Sequence, residues 1–324
     1  MKRSFTVFIA SVALILGGVA PVVTHATSSR DTGKSGGWMT QKTPDTGVKQ
    51  HDLNAASCIS ATTCWVTGFD TFATTNGGAH WSTQQGSLQH YLFGISCLGA
   101  DTYYAAGGGG TVVKTTDSGA TWAVKKTGTA YGKLILSAVN CPTTSTCYIV
   151  GFNGTILLTK NGGSSFVSQK NPLSNTGHLY DGIYCFSATT CIATGYYLSR
   201  TTNGGSSWRL ANNPSHLLNG VTCASPTLCF SVGYGGLILG SQDGGATWST
   251  RKSATTTILE GVACPTTSTC YAVGQKGVIV STTNGGATWS TQASGTSLDL
   301  NGVACIKGGP CYAVGAAGAV LYHS

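Results

Sequence analysis

Thirteen cysteines and seven histidines stand against only ten carboxylates in 324 residues. Sulfur and imidazole chemistry is therefore more open to this chain than acid–base catalysis, which is confined to a few positions. Twelve cysteines form six Cys-x5-Cys pairs: Cys58 with Cys64, Cys141 with Cys147, Cys185 with Cys191, Cys223 with Cys229, Cys264 with Cys270 and Cys305 with Cys311. Each pair bounds a short turn between two apolar runs, which sets both sulfurs at the mouth of one hairpin. Structural zinc pairs usually span two to four residues and catalytic dithiols read Cys-x-x-Cys, so this spacing favours six disulfides. Each would close a short loop and contribute roughly 2 to 3 kcal/mol if unstrained. Cys97 opens a seventh copy, but Tyr103 stands in its partner's place. It reads as a buried small hydrophobe, with an intermolecular bridge or a reactive thiol as the alternatives.

Imidazoles and amides recur in register with the same cysteines. Seven residues before each first cysteine come His51, His90, Leu134, His178, His216, Thr257 and Leu298; four before it come Asn54, Phe93, Ser137, Asp181, Asn219, Glu260 and Asn301. Two readings stay open. The residues form a polar ring suited to a ligand or a metal, or they satisfy the backbone of neighbouring repeats. Histidines on separate repeats lie mostly too far apart to share one ion at Zn–N bonds of about 2 Å, so no metal or cofactor is expected. For acid–base work the candidates are Asp52, Asp181, Glu260 and Asp299. Of these, Asp181 and Glu260 would be the pair in a glycosidase or lyase. No Gly-x-Ser-x-Gly elbow between a strand and a helix, no phosphate loop and no zinc-helix motif appears.

The elements that position these residues follow from a repeat. The segments Thr74-Thr-Asn-Gly-Gly-Ala-His-Trp81, Thr115-Thr-Asp-Ser-Gly-Ala-Thr-Trp122, Thr159-Lys-Asn-Gly-Gly-Ser-Ser-Phe166, Thr201-Thr-Asn-Gly-Gly-Ser-Ser-Trp208, Ser241-Gln-Asp-Gly-Gly-Ala-Thr-Trp248 and Thr282-Thr-Asn-Gly-Gly-Ala-Thr-Trp289 are one motif, its aromatic residues 41, 44, 42, 40 and 41 apart. In the sixth unit the runs Leu259 to Cys264, Cys270 to Gly274, Gly277 to Thr282 and Thr288 to Gln292 read as four strands divided by turn residues. A four-stranded repeat of about 40 to 45 residues is the size of a propeller blade, and seven such blades form one all-β domain. The seventh unit stops at Ser324 without a fourth strand, while Gly36-Gly-Trp-Met-Thr-Gln-Lys42 matches that strand in the sixth. The N-terminal strand should complete the last blade, closing the ring and removing exposed sheet edges. The starts of the first strands, with the histidines and Asn54-type residues, then share one face with the loops between second and third strands.

Composition and targeting agree. Charged residues are only 9% of the chain while 41% are hydrophobic, which excludes charge-driven disorder, and one glutamate with two methionines excludes a coiled coil. Lys2 and Arg3 followed by an apolar run to Ala20 read as a secretory signal cleaved after Ala26, with an uncleaved anchor as the alternative. Residues 27–35 would be a short linker and 36–324 the propeller domain. Export to an oxidising compartment fits the disulfides. Without Lys2 and Arg3, 16 basic face 10 acidic residues, a mild +6 that argues against nucleic acid. No span would remain after cleavage, and a monomer is expected. Lys42, Lys125, Lys126, Lys170, Arg209, Arg251 and Lys252 follow the motif aromatic and could form a basic rim on the ligand face, drawing an anionic envelope polymer or an acidic protein patch.

The Ser/Thr-x-Asp/Asn-x-Gly-x-Ser/Thr-Trp segments resemble the Asp-box (BNR) repeats of sialidase-type and sortilin-type propellers, and are most similar to those of the photosystem II stability/assembly factor-like family. The resemblance covers Trp38 to Ser324. It implies a structural turn at Asn76, Asp117, Asn161, Asn203, Asp243 and Asn284, with Trp81, Trp122, Phe166, Trp208, Trp248 and Trp289 buried behind it. The chain departs from the pattern with Asn in four of six boxes, Phe166 for Trp and His80 for Ser/Thr. A sialidase would need an arginine cluster, and Arg30, Arg200, Arg209 and Arg251 alone remain after cleavage. The sequence thus reads as a non-catalytic binding propeller for a protein or glycan, with a glycoside hydrolase or lyase using Asp181 and Glu260 as the alternative.

Overall fold

The computed structural model describes residues 37–44, 52–84, 91–128, 134–211 and 217–324. The expected signal and linker, together with His51, His90 and His216, lie outside the described residues. The chain forms seven four-stranded antiparallel sheets. Their first strands are Leu53–Cys58, Leu92–Cys97, Leu136–Asn140, Tyr180–Cys185, Leu218–Cys223, Leu259–Ala263 and Leu300–Cys305. Each packs against the first strands of the two neighbouring sheets, so together they line a central channel. The protein is a seven-bladed β-propeller.

The ring closes as its ends require. In the seventh blade Met39–Gln41 is the outermost strand, in register Met39↔Tyr322, Thr40↔Leu321 and Gln41↔Val320. Trp81 Nε1 ties the seam by donating to Gln41 Oε1 at 3.1 Å.

Burial explains why each strand has its composition. The second strands are buried at all five positions in every blade. A strand covered on both faces by neighbouring sheets needs continuous apolar or small residues rather than alternation. The core is accordingly a set of inter-blade layers. In one, Tyr148, Val150, Ile156 and Leu158 of the third blade meet Tyr180, Ile183 and Trp208 of the fourth. The motif aromatics reach backwards in the same way, Trp208 lying edge-on to Tyr148 and Trp289 to Phe230.

In the sixth blade the third and fourth strands begin later than the sequence suggests, at Ile279 and Ser290. Residues Gln275–Gly277 form a 3-10 turn closed by Gly277 at φ +69°, which takes Gly277 out of the ladder.

Candidate functional site

Six disulfides link Cys58 to Cys64, Cys141 to Cys147, Cys185 to Cys191, Cys223 to Cys229, Cys264 to Cys270 and Cys305 to Cys311, with Cα atoms 3.9 to 4.0 Å apart. The bridges are deeper than the spacing alone shows: Cys141, Cys185 and Cys223 are buried as well as their partners, while Cys58, Cys264 and Cys305 are half-buried. The second cysteine opens a fully covered strand: Cys64, Cys147, Cys191, Cys229 and Cys270 are 0% exposed and Cys311 is 1% exposed. Each of these six belongs to an inter-blade apolar layer, Cys64 beside Trp81 and Cys147 beside Tyr104 among them. The sulfurs therefore lie at the mouth of each hairpin and also at the top of the core, where they pack as well as cross-link.

The bridges sit where first strands end and second strands begin, the same end of the blade as the Asn/Asp turns. Those turns consume their own polar groups. Asn76 Oδ1 accepts from Thr74 Oγ1 at 3.0 Å and from His80 N at 2.9 Å, while Gly78 N donates to Thr74 Oγ1 at 2.9 Å. The same net recurs at Asp117, Asn161, Asn203, Asp243 and Asn284. Hydrogen bonds from Thr115 and Thr121 push Asp117 down to about 2, and those from Thr247 do the same for Asp243. Of the aromatics in this motif Trp81, Trp208, Trp248 and Trp289 are buried, while Trp122 and Phe166 are half-buried against the adjoining layers. One end of the propeller is thus stapled.

Cys97 remains a free thiol. Its residue is only half-buried, but the sulfur itself is enclosed, which pushes the thiol up to about 12 despite a weak contact to Ser57. Such a thiol is inert near neutral pH.

The opposite end carries the other register. In every first strand the pairing skips one residue, and the residue skipped is Asn54, Phe93, Ser137, Asp181, Asn219, Glu260 or Asn301. A β-bulge re-aims the side chain it carries. In three blades it is aimed at the next one. Asn54 Nδ2 donates to Leu92 O at 2.9 Å, Asn219 Nδ2 to Leu259 O at 3.0 Å and Asn301 Nδ2 to Leu53 O at 2.9 Å. Three of the seven polar-ring positions therefore satisfy neighbouring backbone, the structural one of the two readings. The sequence showed the polarity of this register, but a bulge leaves no mark in an alternating pattern.

Asp181 and Glu260 stand on blades two apart, yet the Glu260 charge is felt at Asp181. Burial, and then the Glu260 charge, push Asp181 up to about 7. Burial also raises Glu260, with the Asp299 charge adding to it, while hydrogen bonds from Gln275 Nε2 (3.2 Å) and Asn219 Nδ2 (2.7 Å) favour its ionised form. The remaining acids cap turns: Asp299 Oδ1 accepts from Lys276 N at 2.7 Å and Asp52 Oδ1 from Ala317 N at 3.1 Å. Among the described residues no cluster of His, Cys, Asp and Glu could hold a metal ion.

At the rim of this face a second device repeats seven times. The residue after each second strand donates its N–H to the carbonyl just before the first strand: Phe69 to Asp52, Gly108 to Tyr91, Phe152 to Ile135, Tyr196 to Leu179, Tyr234 to Leu217, Gln275 to Ile258 and Ala316 to Asp299. The glycine ending each second strand allows this, since a Cβ on Gly68, Gly151 or Gly233 would overlap that same carbonyl. The bond fixes two side chains per blade at the rim, and several are apolar. Of nine exposed large hydrophobics among the described residues, five belong to these pairs, Phe69, Ile135, Phe152, Leu217 and Tyr234, and Leu298 adjoins Asp299 of the seventh. Tyr196 and Tyr197 extend the patch, and His178 stacks on Tyr196 with centroids 4.3 Å apart. The one described histidine of its register is thus an aromatic-rim residue. These aromatics were missed in the sequence because each sits one residue past a strand, outside the pattern that marks a core.

The basic residues divide. Lys125 and Arg251 pair with Val112 and Ile238 at the starts of third strands, on the rim side. Arg209 instead faces Arg200, near the end of its third strand, so it leaves the expected basic rim.

Fold and site together define a propeller with a stapled end and an aromatic end. No protein-family model and no curated protein sequence matches the chain. Among solved structures it is similar to YCF48 bound to a D1 peptide, with a TM-score of 0.72 at 16% identity over 90% of this chain and 97% of that one. It is similar also to YCF48 from Cyanidioschyzon merolae, at 0.71 and 16% over 89% and 98%. The GH74 xyloglucanase of Xanthomonas campestris gives 0.65 at 10% over 88% of this chain and 53% of that one. At these identities the likeness is one of fold.

Proposed function

We propose that this is a secreted, non-catalytic binding propeller of the Asp-box type that docks a protein partner on its aromatic rim. The observation that carries the reading is the placing of exposed apolar side chains: Phe69, Phe152 and Tyr234, each about half exposed, project from equivalent loops on one face. Rigid aromatic anchors at a fixed rim are what protein-binding surfaces use. A structural neighbour, YCF48, is solved bound to a peptide, which supports a protein client over a glycan. Six disulfides agree with an oxidising, extracytoplasmic setting. Among the described residues no helix is long and apolar enough to cross a membrane. Affinity capture from the envelope of the source organism tests the reading: a captured protein should be lost with F69S/F152S/Y234S, and its retention by that variant would refute the rim as the docking surface.

One observation favours a second reading. Burial and the Glu260 charge push Asp181 up to about 7, which suits a general acid near neutral pH. Turnover of any polysaccharide in a broad panel, abolished in D181A and E260A, would establish it. No turnover would leave the binding reading.

A further inference from the structure

Arg200 and Arg209 are direct cross-strand partners in the fourth blade. Like charges placed opposite one another on a sheet repel, so such a pair calls for a counterion. Among the described residues no carboxylate lines the recess of about 190 Å³ that opens beside the pair, formed by Arg200, Arg209, Thr202 and Ser207 with the Gly245–Ala246 turn of the fifth blade. Arg200 Nε is buried and has no hydrogen-bond partner among the described residues. An unsatisfied buried guanidinium nitrogen is costly unless something occupies the recess.

The second blade shows the contrast. Its equivalent residue, Lys114, also just before the turn threonine, donates from Nζ to Gly162 O at 2.9 Å in the next blade's turn. There the cation is used up by the fold. In the fourth blade the guanidinium reaches the corresponding turn, its Nη2 lying 3.6 Å from where a Cβ of Gly244 would be, yet Nε stays free and a second arginine is added. Ser207 Oγ accepts from Asn203 Nδ2 at 2.9 Å, which leaves its hydroxyl hydrogen to donate.

We propose that this recess is a binding site for a tetrahedral dianion, a phosphate or sulfate group. Two guanidinium groups match its two charges and its several oxygens, whereas a carboxylate satisfies only one of them. The site lies between blades on the outer wall, away from the aromatic rim, and does not depend on the rim's role.

Calorimetric titration of the full chain at constant ionic strength tests it, with inorganic phosphate, sulfate and acetate as probes. Phosphate or sulfate should bind in preference to acetate, and R200Q and R209Q should each weaken binding by about tenfold or more, the loss of one charge-assisted contact. K307Q, which removes an exposed cation outside the recess, should leave affinity unchanged. Because Arg209 is exposed, R209Q should fold; without anion it should melt above the wild type, and with saturating phosphate below it. Equal binding by wild type and R209Q, or equal response to acetate, would overturn the proposal. Preference between phosphate and sulfate identifies which of the two groups the site takes.

Discussion

Asn219 Nδ2 donates to Glu260 Oε2 at 2.7 Å and to the Leu259 carbonyl at 3.0 Å, so one amide on the fifth blade holds both the backbone and the acid of the sixth. The bulge that aims Asn219 makes this possible, and the same bulge at Asp181 leaves a carboxyl where the fifth blade has an amide. That carboxyl is pushed up to about 7 by burial and the Glu260 charge.

Asp181 should therefore make stability depend on pH. Its folded-state pKa of about 7 lies above the unfolded carboxylate value, so the native state holds an extra proton between about pH 4 and 7 and stability falls as pH rises through that window. D181N removes the titration. By denaturant unfolding, the variant should be more stable than wild type at pH 8, by up to about 4 kcal/mol, and equal to it at pH 4. A variant no more stable at pH 8 would contradict the assignment.

Asp243 should behave in the opposite sense. Hydrogen bonds from Thr247 hold it near 2, so its contribution is present above about pH 4 and lost as pH falls through 2. Four equivalent turns use Asn and accept the same bonds. D243N should keep neutral-pH stability and gain acid resistance, while D243A should cost about 1 to 2 kcal/mol at pH 7.

Gly233→Ala tests the rim clamp. The added methyl would overlap the Leu217 carbonyl that accepts from Tyr234 N at 3.0 Å. The expected loss is about 2 to 4 kcal/mol, with faster amide exchange at Tyr234. An unaffected melting curve would show that the blade has room to shift.

Cys97 gives a chemical check on the cysteine framework. With its thiol raised to about 12 by burial, native protein should resist alkylation at pH 8. Denatured, unreduced protein should take up one label per chain. Two or more would mean that a hairpin pair is open.

Much of the fold was legible because its signals are local and repeated. The cysteine spacing marked each hairpin, the Asn-Gly-Gly-type turns marked each outer strand, and Trp38 marked the strand that closes the ring. The depth of the bridges was not legible, because the cover over Cys64 or Cys229 comes from an adjacent blade. The site was legible only in part. Asn54, Asn219 and Asn301 stood out as polar positions, yet their destination, the carbonyl of the next blade, is set by a bulge and by sheet-to-sheet packing across 38, 40 and, over the ring closure, 248 residues of sequence. The coupling of Asp181 to Glu260 needs the channel's curvature, which no spacing encodes. Phe69, Phe152 and Tyr234 were hidden because one aromatic beyond a strand looks like any loop residue until seven loops are gathered on one face.

The rim is tested most directly by placing a photo-crosslinking residue at Phe152, at Tyr234 and, as a control, at Val167, which is exposed on an outer strand. After irradiation with envelope extract, the same partner protein should be covalently attached at Phe152 and Tyr234 and absent at Val167. Attachment at Val167 with none at Phe152 or Tyr234 would contradict the aromatic rim as the binding surface.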